Sequence, residues 1–180
     1  MKQYDCIFLD RDGTLNPDPG YISNILDYNF YDFTVPALKL MSRNNNRFCI
    51  ITNQSGVARG LISVKSLSTI NNFIRKTFSE NSISLLDIYM CFDHPDNASY
   101  RRKPGPGMFL EAKKEYNLKL SNCLMVGDSI IDMKAGKSLG MKTMLVLTGE
   151  GEKTLKNFRD SKFISYVAED IHEGFKQLCH

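Results

Sequence analysis

Long hydrophobic runs are missing from this 180-residue chain. The longest unbroken apolar stretch is the five residues from Ile88 to Phe92. A helix that crosses a bilayer needs about 20, so no helical span and no membrane partner are expected. An excess of one charge is missing too. Lysine plus arginine number 23, aspartate plus glutamate 20, and the net charge is +3. That balance argues against a nucleic-acid partner or a charged membrane surface. The five cysteines, at 6, 49, 91, 123 and 179, are odd in number and scattered. They do not suggest a disulfide framework, and a cytoplasmic location is expected. The opening MKQYDCIFLD carries an acid too early for a secretory signal peptide. There is no internal repeat and no low-complexity segment.

What is present is an ordinary globular composition, 42% apolar and 24% charged. The length suits one domain over residues 1–180 with a core of its own. Short apolar runs alternate with helical periodicity. Tyr4–Leu9, Arg47–Thr52, part of Leu85–Phe92, Cys123–Val126 and Thr143–Leu147 read as strands buried on both faces. Between them lie helical stretches. One covers about Pro36–Arg43, with Pro36 as its first residue. In another, capped by Ser63, the residues Val64, Leu67, Ile70, Ile74 and Phe78 recur at steps of three and four. Met108–Tyr116, Ile130–Leu139 closed by Gly140, and a tail over about Asp170–Leu178 complete the set. The alternation predicts an α/β fold, a doubly wound, Rossmann-like parallel sheet with helices on both faces. Asn44–Asn46 reads as a surface loop, and the aperiodic stretch Asp93–Gly107 is long enough to be functional.

In such sheets ligands bind beyond the carboxyl ends of the strands, and four strand ends here carry polar motifs. The first is Asp10-Arg11-Asp12-Gly13. Acids two apart on extended backbone share a side, although a turn with two solvated acids would look the same. The second is Thr52-Asn53-Gln54-Ser55-Gly56, short donors that suit a phosphate but also an ordinary loop composition. The third is Arg101-Arg102-Lys103-Pro104-Gly105-Pro106, in which Lys103 is a fixed point charge, or else a basic surface loop. The fourth is Asp128-Ser129-Ile130-Ile131-Asp132, with the two acids one helical turn apart. Asp128 alone could be an acid favoured by a helix dipole.

Taken together the motifs are more specific. Asp10, Asp12, Asp128 and Asp132 would meet at one sheet edge, and carboxylates that close do not all stay ionised without a cation. Oxygen ligands suit Mg²⁺. A carboxylate beside it can attack phosphorus, while a second carboxyl handles the leaving-group and water protons. A phosphoacceptor signalling domain shares the acids, Mg²⁺ and a lysine. It is disfavoured by the Asp-x-Asp spacing and by the second acidic cluster. A protein that has lost catalysis is disfavoured because the residues needed for phosphoryl transfer are all present.

The segments FLDRDGTLN, GYI, ITNQSGVARG, RRKPGPGM and MVGDSIIDMKAG resemble the haloacid-dehalogenase superfamily of aspartate-dependent phosphatases. The resemblance is closest to its capless D-glycero-D-manno-heptose 1,7-bisphosphate 7-phosphatase family, which is related to the histidinol-phosphatases. It covers roughly residues 4 to 150. The resemblance implies a Mg²⁺-dependent sugar bisphosphate phosphatase, a phosphoric monoester hydrolase that works through an aspartyl-phosphate. Such enzymes lie on the path to the ADP-heptose of lipopolysaccharide core. Histidinol phosphate or another small phosphorylated metabolite is the alternative substrate. By position, Asp10 is implied as nucleophile and Asp12 as general acid/base. Mg²⁺ would sit on the Asp10 carboxylate, the Asp12 backbone carbonyl and Asp128. Thr52 and Lys103 would hold the transferring phosphoryl group. Asp18, Pro19, Gly20, Tyr21, Asn53, Gln54, Ser55, Arg102 and Ser129 would shape substrate recognition. A monomer is implied, in the cytoplasm.

The chain departs from the family pattern at a loop that usually holds zinc through Cys-x-His and then Cys-x-Cys. Here Cys91 remains, but Asp93, Ser99 and Arg101 stand at the other three positions, and His94 comes one residue late. The four ligands of a structural zinc site are not there, so no structural zinc is expected and Cys91 reads as a buried strand residue. Ser129 stands where the heptose branch often has a lysine. Cys6, Cys49 and Cys123 read as core residues, and Cys179 with His180 as a frayed end.

Overall fold

The computed structural model describes residues 3–158 and 162–179; His180 lies outside the described residues. Six strands form one parallel sheet: β1 (Ile7–Leu9), β2 (Phe48–Asn53), β3 (Leu85–Cys91), β4 (Leu124–Gly127), β5 (Lys142–Val146) and β6 (Tyr166–Ala168). Their order across the sheet is β3-β2-β1-β4-β5-β6, and every pairing is parallel. Among the described residues six α-helices accompany them: α1 (Thr34–Ser42), α2 (Val64–Glu80), α3 (Gly107–Tyr116), α4 (Ile130–Ser138), α5 (Gly151–Phe158) and α6 (Ile171–Cys179).

Period-two alternation sends side chains of the same strand into two cores. Ile7, Leu9, Ile50 and Val126 face α1, α2 and α6 through Leu38, Met41, Ile74 and Phe175. Cys6, Phe8, Cys49 and Met125 face α3 and α4 through Met108, Phe109 and Ala135. Phe8 meets Phe109 edge-on, with ring centroids 5.1 Å apart. Both faces are covered, which is why the strands carry so little polarity before their last residue. β2 lies on one side of β1 and β4 on the other. The chain reverses its direction of winding there, and the carboxyl ends of β1 and β4 flank a crevice.

The helix signals in the sequence have their expected partners. The Ser63 hydroxyl accepts from the Ser66 N–H at 2.9 Å at the start of α2. Gly140, at φ 77°, ends α4 while the N–H groups of Gly140 and Met141 bond the carbonyls of Lys137 and Gly136, a Schellman closure. Cys6, Cys49 and Cys123 are buried, as expected, and Cys179 is half-buried.

Several boundaries differ from the sequence reading. Pro36 is the third residue of α1, not the first. The first four N–H groups of a helix have no intrahelical acceptor, so proline fits there equally well. Residues 4–6 precede β1, and the Tyr4 N–H goes to the Asn46 side chain at 2.7 Å. Asn46 is therefore not loop surface. It is buried, and it also donates to the Met41 carbonyl at 3.1 Å. The short edge strand β6 and the helix α5 had no sequence signal. Only Gly151 and Thr154 of α5 are buried, which leaves no apolar period to read. No described helix is long and apolar enough to cross a membrane.

Candidate active site

Four strand ends deliver the polar residues. β1 runs into Asp10, whose N–H still donates to the Val126 carbonyl of β4 at 2.9 Å. The chain then turns tightly. Thr14 and Leu15 N–H groups return to the Arg11 carbonyl, and Gly13 takes φ 82°. Only glycine suits that position. A Cβ would stand 2.2 Å from Asp128 Oδ2, and the conformation itself disfavours a side chain.

Lys103 is almost fully buried and stands between two acids. Its Nζ lies 2.8 Å from Asp10 Oδ1 and 2.7 Å from Asp132 Oδ1. Burial works against the ammonium, but Asp10 and Asp132 outweigh it and raise its pKa. The lysine is placed by its own backbone. Its N–H donates to Asn53 Oδ1 at 3.0 Å, and the Asn53 amide returns a bond to its carbonyl at 3.1 Å. Asp10 Oδ1 also accepts from the Arg11 N–H at 2.8 Å, so Oδ2 is the less engaged oxygen.

Asp10, Asp128 and Asp132 can bring one oxygen each within 4.8 Å of one another. Burial pushes Asp10 well above the usual carboxylate range; Lys103 opposes this, and Asp132 and Asp128 add to it. Burial and then Asp132 push Asp128 up to about 7, against the Glu150 N–H that bonds it at 2.8 Å. Three carboxylates face one ammonium. A divalent, oxygen-seeking cation would restore the balance, so the donor set fits Mg²⁺.

Asp12 points elsewhere. Oδ1 accepts from Arg11 Nε at 3.0 Å and Asn16 Nδ2 at 2.9 Å; Oδ2 accepts from Arg11 Nη2 at 2.8 Å and Gln54 Nε2 at 2.7 Å. The buried Arg11 thus makes a two-pronged pair with it.

A cavity of about 440 Å³ opens above these groups, a volume suited to a small metabolite. Of the residues singled out in the sequence, it is lined by Asp10, Asp12, Asp18, Gly20, Tyr21, Thr52, Asn53, Gln54, Ser55, Arg102, Lys103, Asp128 and Ser129. Pro19 is not among them. Asp18 Oδ1 accepts from the Gly20 N–H at 2.9 Å, and this turn leaves Pro19 exposed at its tip. Ser129 has a structural task as well, capping α4 through the Ile131 N–H at 3.3 Å.

Two features go beyond the sequence reading. Asp132, which the sequence places with the acids without assigning it a role, is fully buried against Lys103. The turn after β5 (Thr148-Gly149-Glu150) is the second, a polar strand end beyond the four singled out in the sequence. Thr148 Oγ1 donates to the Gly13 carbonyl at 2.6 Å. Thr-Gly at a fifth strand end was the available signal.

The loop that departs from the family pattern is fastened by polar contacts. Asp93 Oδ2 accepts from the Ser99 N–H at 2.8 Å. Arg101 pairs with Glu111 of α3 through Nε at 2.6 Å and Nη2 at 2.8 Å, and its Nη1 donates to the Met90 carbonyl. Arg102 Nη1 donates to the Asp93 carbonyl at 3.1 Å. Cys91 is buried, and burial pushes its thiol up.

A family model described as HAD-hydrolase-like matches residues 100–174. A D-glycero-beta-D-manno-heptose-1,7-bisphosphate 7-phosphatase of Pasteurella multocida is 38% identical over 151 residues, covering 80% of this chain and 82% of the relative. The chain belongs to this phosphatase family. A relative named for the alpha anomer, from Photorhabdus laumondii, is 35% identical over 79% of this chain and 82% of its own. The phosphatase also superposes on the crystal structure of the D,D-heptose 1,7-bisphosphate phosphatase from B. bronchiseptica, complexed with magnesium and phosphate. That match has a TM-score of 0.89 and 30% identity, over 99% of this chain and 98% of the other. This haloacid-dehalogenase-like phosphatase is thus a phosphoric monoester hydrolase, with the doubly wound sheet expected of it.

Proposed function

We propose that this chain hydrolyses the 7-phosphate of D-glycero-D-manno-heptose 1,7-bisphosphate with Mg²⁺, through an aspartyl-phosphate on Asp10. The observation that carries the chemistry is the buried Lys103 between Asp10 and Asp132, at the edge of a cavity lined by Asp12 and Thr52. The family of close relatives supports the substrate.

The Asp10 and Asp128 carboxylates and the Asp12 backbone carbonyl would hold Mg²⁺. When bound, it neutralises phosphoryl charge and keeps the group in line for displacement. Lys103 and the Thr52 hydroxyl hold the remaining phosphoryl oxygens. An Asp10 oxygen attacks phosphorus, and the bond from phosphorus to the sugar oxygen breaks. That oxygen keeps the electron pair and takes a proton from Asp12. Asp12, now ionised, takes a proton from a water whose oxygen attacks the same phosphorus. The bond to Asp10 breaks, and both acids return to their starting state.

Arg102, Tyr21, Asn53, Ser55 and Ser129 bound the space for the sugar. One domain carries all of this, and the protein works as a cytoplasmic monomer on the path to ADP-heptose. Loop 92–106 is held by Asp93, Ser99, Arg101 and Glu111 instead of structural zinc. The test is Mg²⁺-dependent phosphate release from both anomers of heptose 1,7-bisphosphate and from histidinol phosphate. A strong preference for one heptose anomer, abolished by Asp10→Asn, is expected. Comparable weak rates on all three would overturn the assigned substrate, and an active Asp10→Asn would overturn the mechanism.

A further inference from the structure

Gln54 lies only 4% exposed, and its amide nitrogen has two hydrogens to give. One goes to Asp12 Oδ2 at 2.7 Å and the other to Thr52 Oγ1 at 2.9 Å. The orientation of the amide suits Asp12 in its ionised form, the form left once the leaving oxygen has taken its proton, since an ionised carboxylate accepts only. With both donors committed inside the protein, Gln54 has none left for a substrate. Its effect on Thr52 is directional. A hydroxyl that accepts from Gln54 has its own proton free to point elsewhere, and a phosphoryl oxygen needs that proton. Its effect on Asp12 is positional. Of the four donors that hold this carboxylate, Arg11 and Asn16 belong to the same turn as Asp12. Gln54 comes from the end of β2 and ties Asp12 to the neighbouring strand end.

We propose that Gln54 is a positioning residue that couples the phosphoryl-holding hydroxyl of Thr52 to the acid/base carboxylate of Asp12. This rests on the phosphatase reading above and replaces the substrate contact expected for Gln54. One amide sets the donor direction at the phosphoryl group and the place of the carboxylate that serves the leaving oxygen and then the water.

The test compares wild type with Gln54→Met, which keeps volume and removes both donors, and with Gln54→Glu, which keeps the shape and puts an acceptor against Asp12. Thermal melting confirms folding, and the second variant serves if the first does not fold. On heptose 1,7-bisphosphate, kcat is expected to fall about 10- to 100-fold, with KM close to wild type. On p-nitrophenyl phosphate the leaving group departs without a proton. A burst of about one p-nitrophenolate per active site should therefore precede slow turnover, its rate lowered only by the lost direction of the Thr52 hydroxyl and less than turnover is, because the hydrolysis of the aspartyl-phosphate also needs a placed base. A raised KM with unchanged kcat would overturn the proposal in favour of direct substrate contact. Equal losses in burst and turnover would overturn it in favour of a merely structural role. Wild-type protein inactive on both esters would instead sink the phosphatase reading, and the proposal with it.

Discussion

The Thr148 hydroxyl donates to the carbonyl oxygen of Gly13 across 2.6 Å, although 135 positions separate the two in the chain. This bond locks the turn after β5 onto the turn that carries Asp10 and Asp12. Two residues later the Glu150 N–H bonds Asp128. The same short turn therefore braces two of the proposed Mg²⁺-holding elements. Thr148→Val keeps the shape and leaves the Gly13 carbonyl without that donor, at a cost of about 1–3 kcal/mol. The expected result is weaker Mg²⁺ binding by calorimetry and a lower melting temperature, with Thr148→Ser close to wild type. Unchanged Mg²⁺ affinity in Thr148→Val would remove the turn from the metal framework.

Gly149 gives a sharper version. At φ 54° it passes so near Asp128 that a Cβ would lie 2.2 Å from Oδ2 and 2.6 Å from the Gly13 Cα. Gly149→Ala meets both a backbone penalty of about 1 kcal/mol and a collision with a buried carboxylate. Activity should drop at least about 100-fold, because a displacement near 1 Å at a reacting centre has that consequence. Gly140 is the control. Its φ is 77° and nothing lies within 4 Å of its Cβ position. Gly140→Ala should lose a similar backbone term in thermal melting and keep full activity. Parallel loss of activity in both variants would mean that strain alone, and not the crowding of Asp128, sets the effect.

These turns also explain how much of the protein was legible in its sequence. β1, β2 and β4 could be read because buried parallel strands are apolar until the residue where the site begins, as at Leu9 and Asp10. Asp10, Asp12 and Asp128 stand out because they come at or just after the end of such a run, and Lys103 because Pro104 and Gly105 fix it ahead of a helix. The pairing of Lys103 with Asp132 does not. It depends on α4 presenting a fully buried acid one turn beyond Asp128, and nothing local in Ile130-Ile131-Asp132 distinguishes a buried acid from a solvated one. Composition does not reveal where an amide spends its hydrogens, so the bonds of Gln54 to Asp12 and Thr52 are visible only in the structure. α5 and β6 leave no period to read, one being a largely polar helix and the other a three-residue edge strand, and Thr148 carries no charge to mark the end of β5 as part of a site.

Electrostatics predicts how pH and Mg²⁺ act on each other. Burial and Asp132 raise Asp128 to about 7. A carboxyl whose folded value lies above its unfolded value binds its proton more tightly in the folded state. Without metal, it therefore takes stability away as pH rises from about 4 towards 7. Mg²⁺ needs the ionised form, so its affinity should climb over that window and level off above it. The melting-temperature gain from Mg²⁺ should thus be larger at about pH 8 than at about pH 5.5. Asp128→Asn should lose most of the gain at both. A gain independent of pH in wild type would show that Asp128 is already ionised without the cation.

Loop 92–106 offers a prediction that separates substrate recognition from chemistry. Arg101 joins three elements: its own loop, α3 through Glu111, and β3 through the Met90 carbonyl. Arg102 and Lys103 follow directly, and both line the cavity. Arg101 and Glu111 are 37% and 38% exposed, so solvent screens the pair and its removal should lower stability by no more than about 1 kcal/mol. Position should suffer more than stability. Lys103 is independently fixed by Asn53, whereas Arg102 depends on the loop through the Asp93 carbonyl. Arg101→Met should therefore raise KM for the bisphosphate about tenfold and leave kcat close to wild type, the signature of lost uniform binding. Arg101→Lys should not rescue it, because an ammonium cannot reproduce the two-pronged bond to Glu111 while still reaching Met90. A fall in kcat at unchanged KM would instead place Arg101 among the groups that position Lys103.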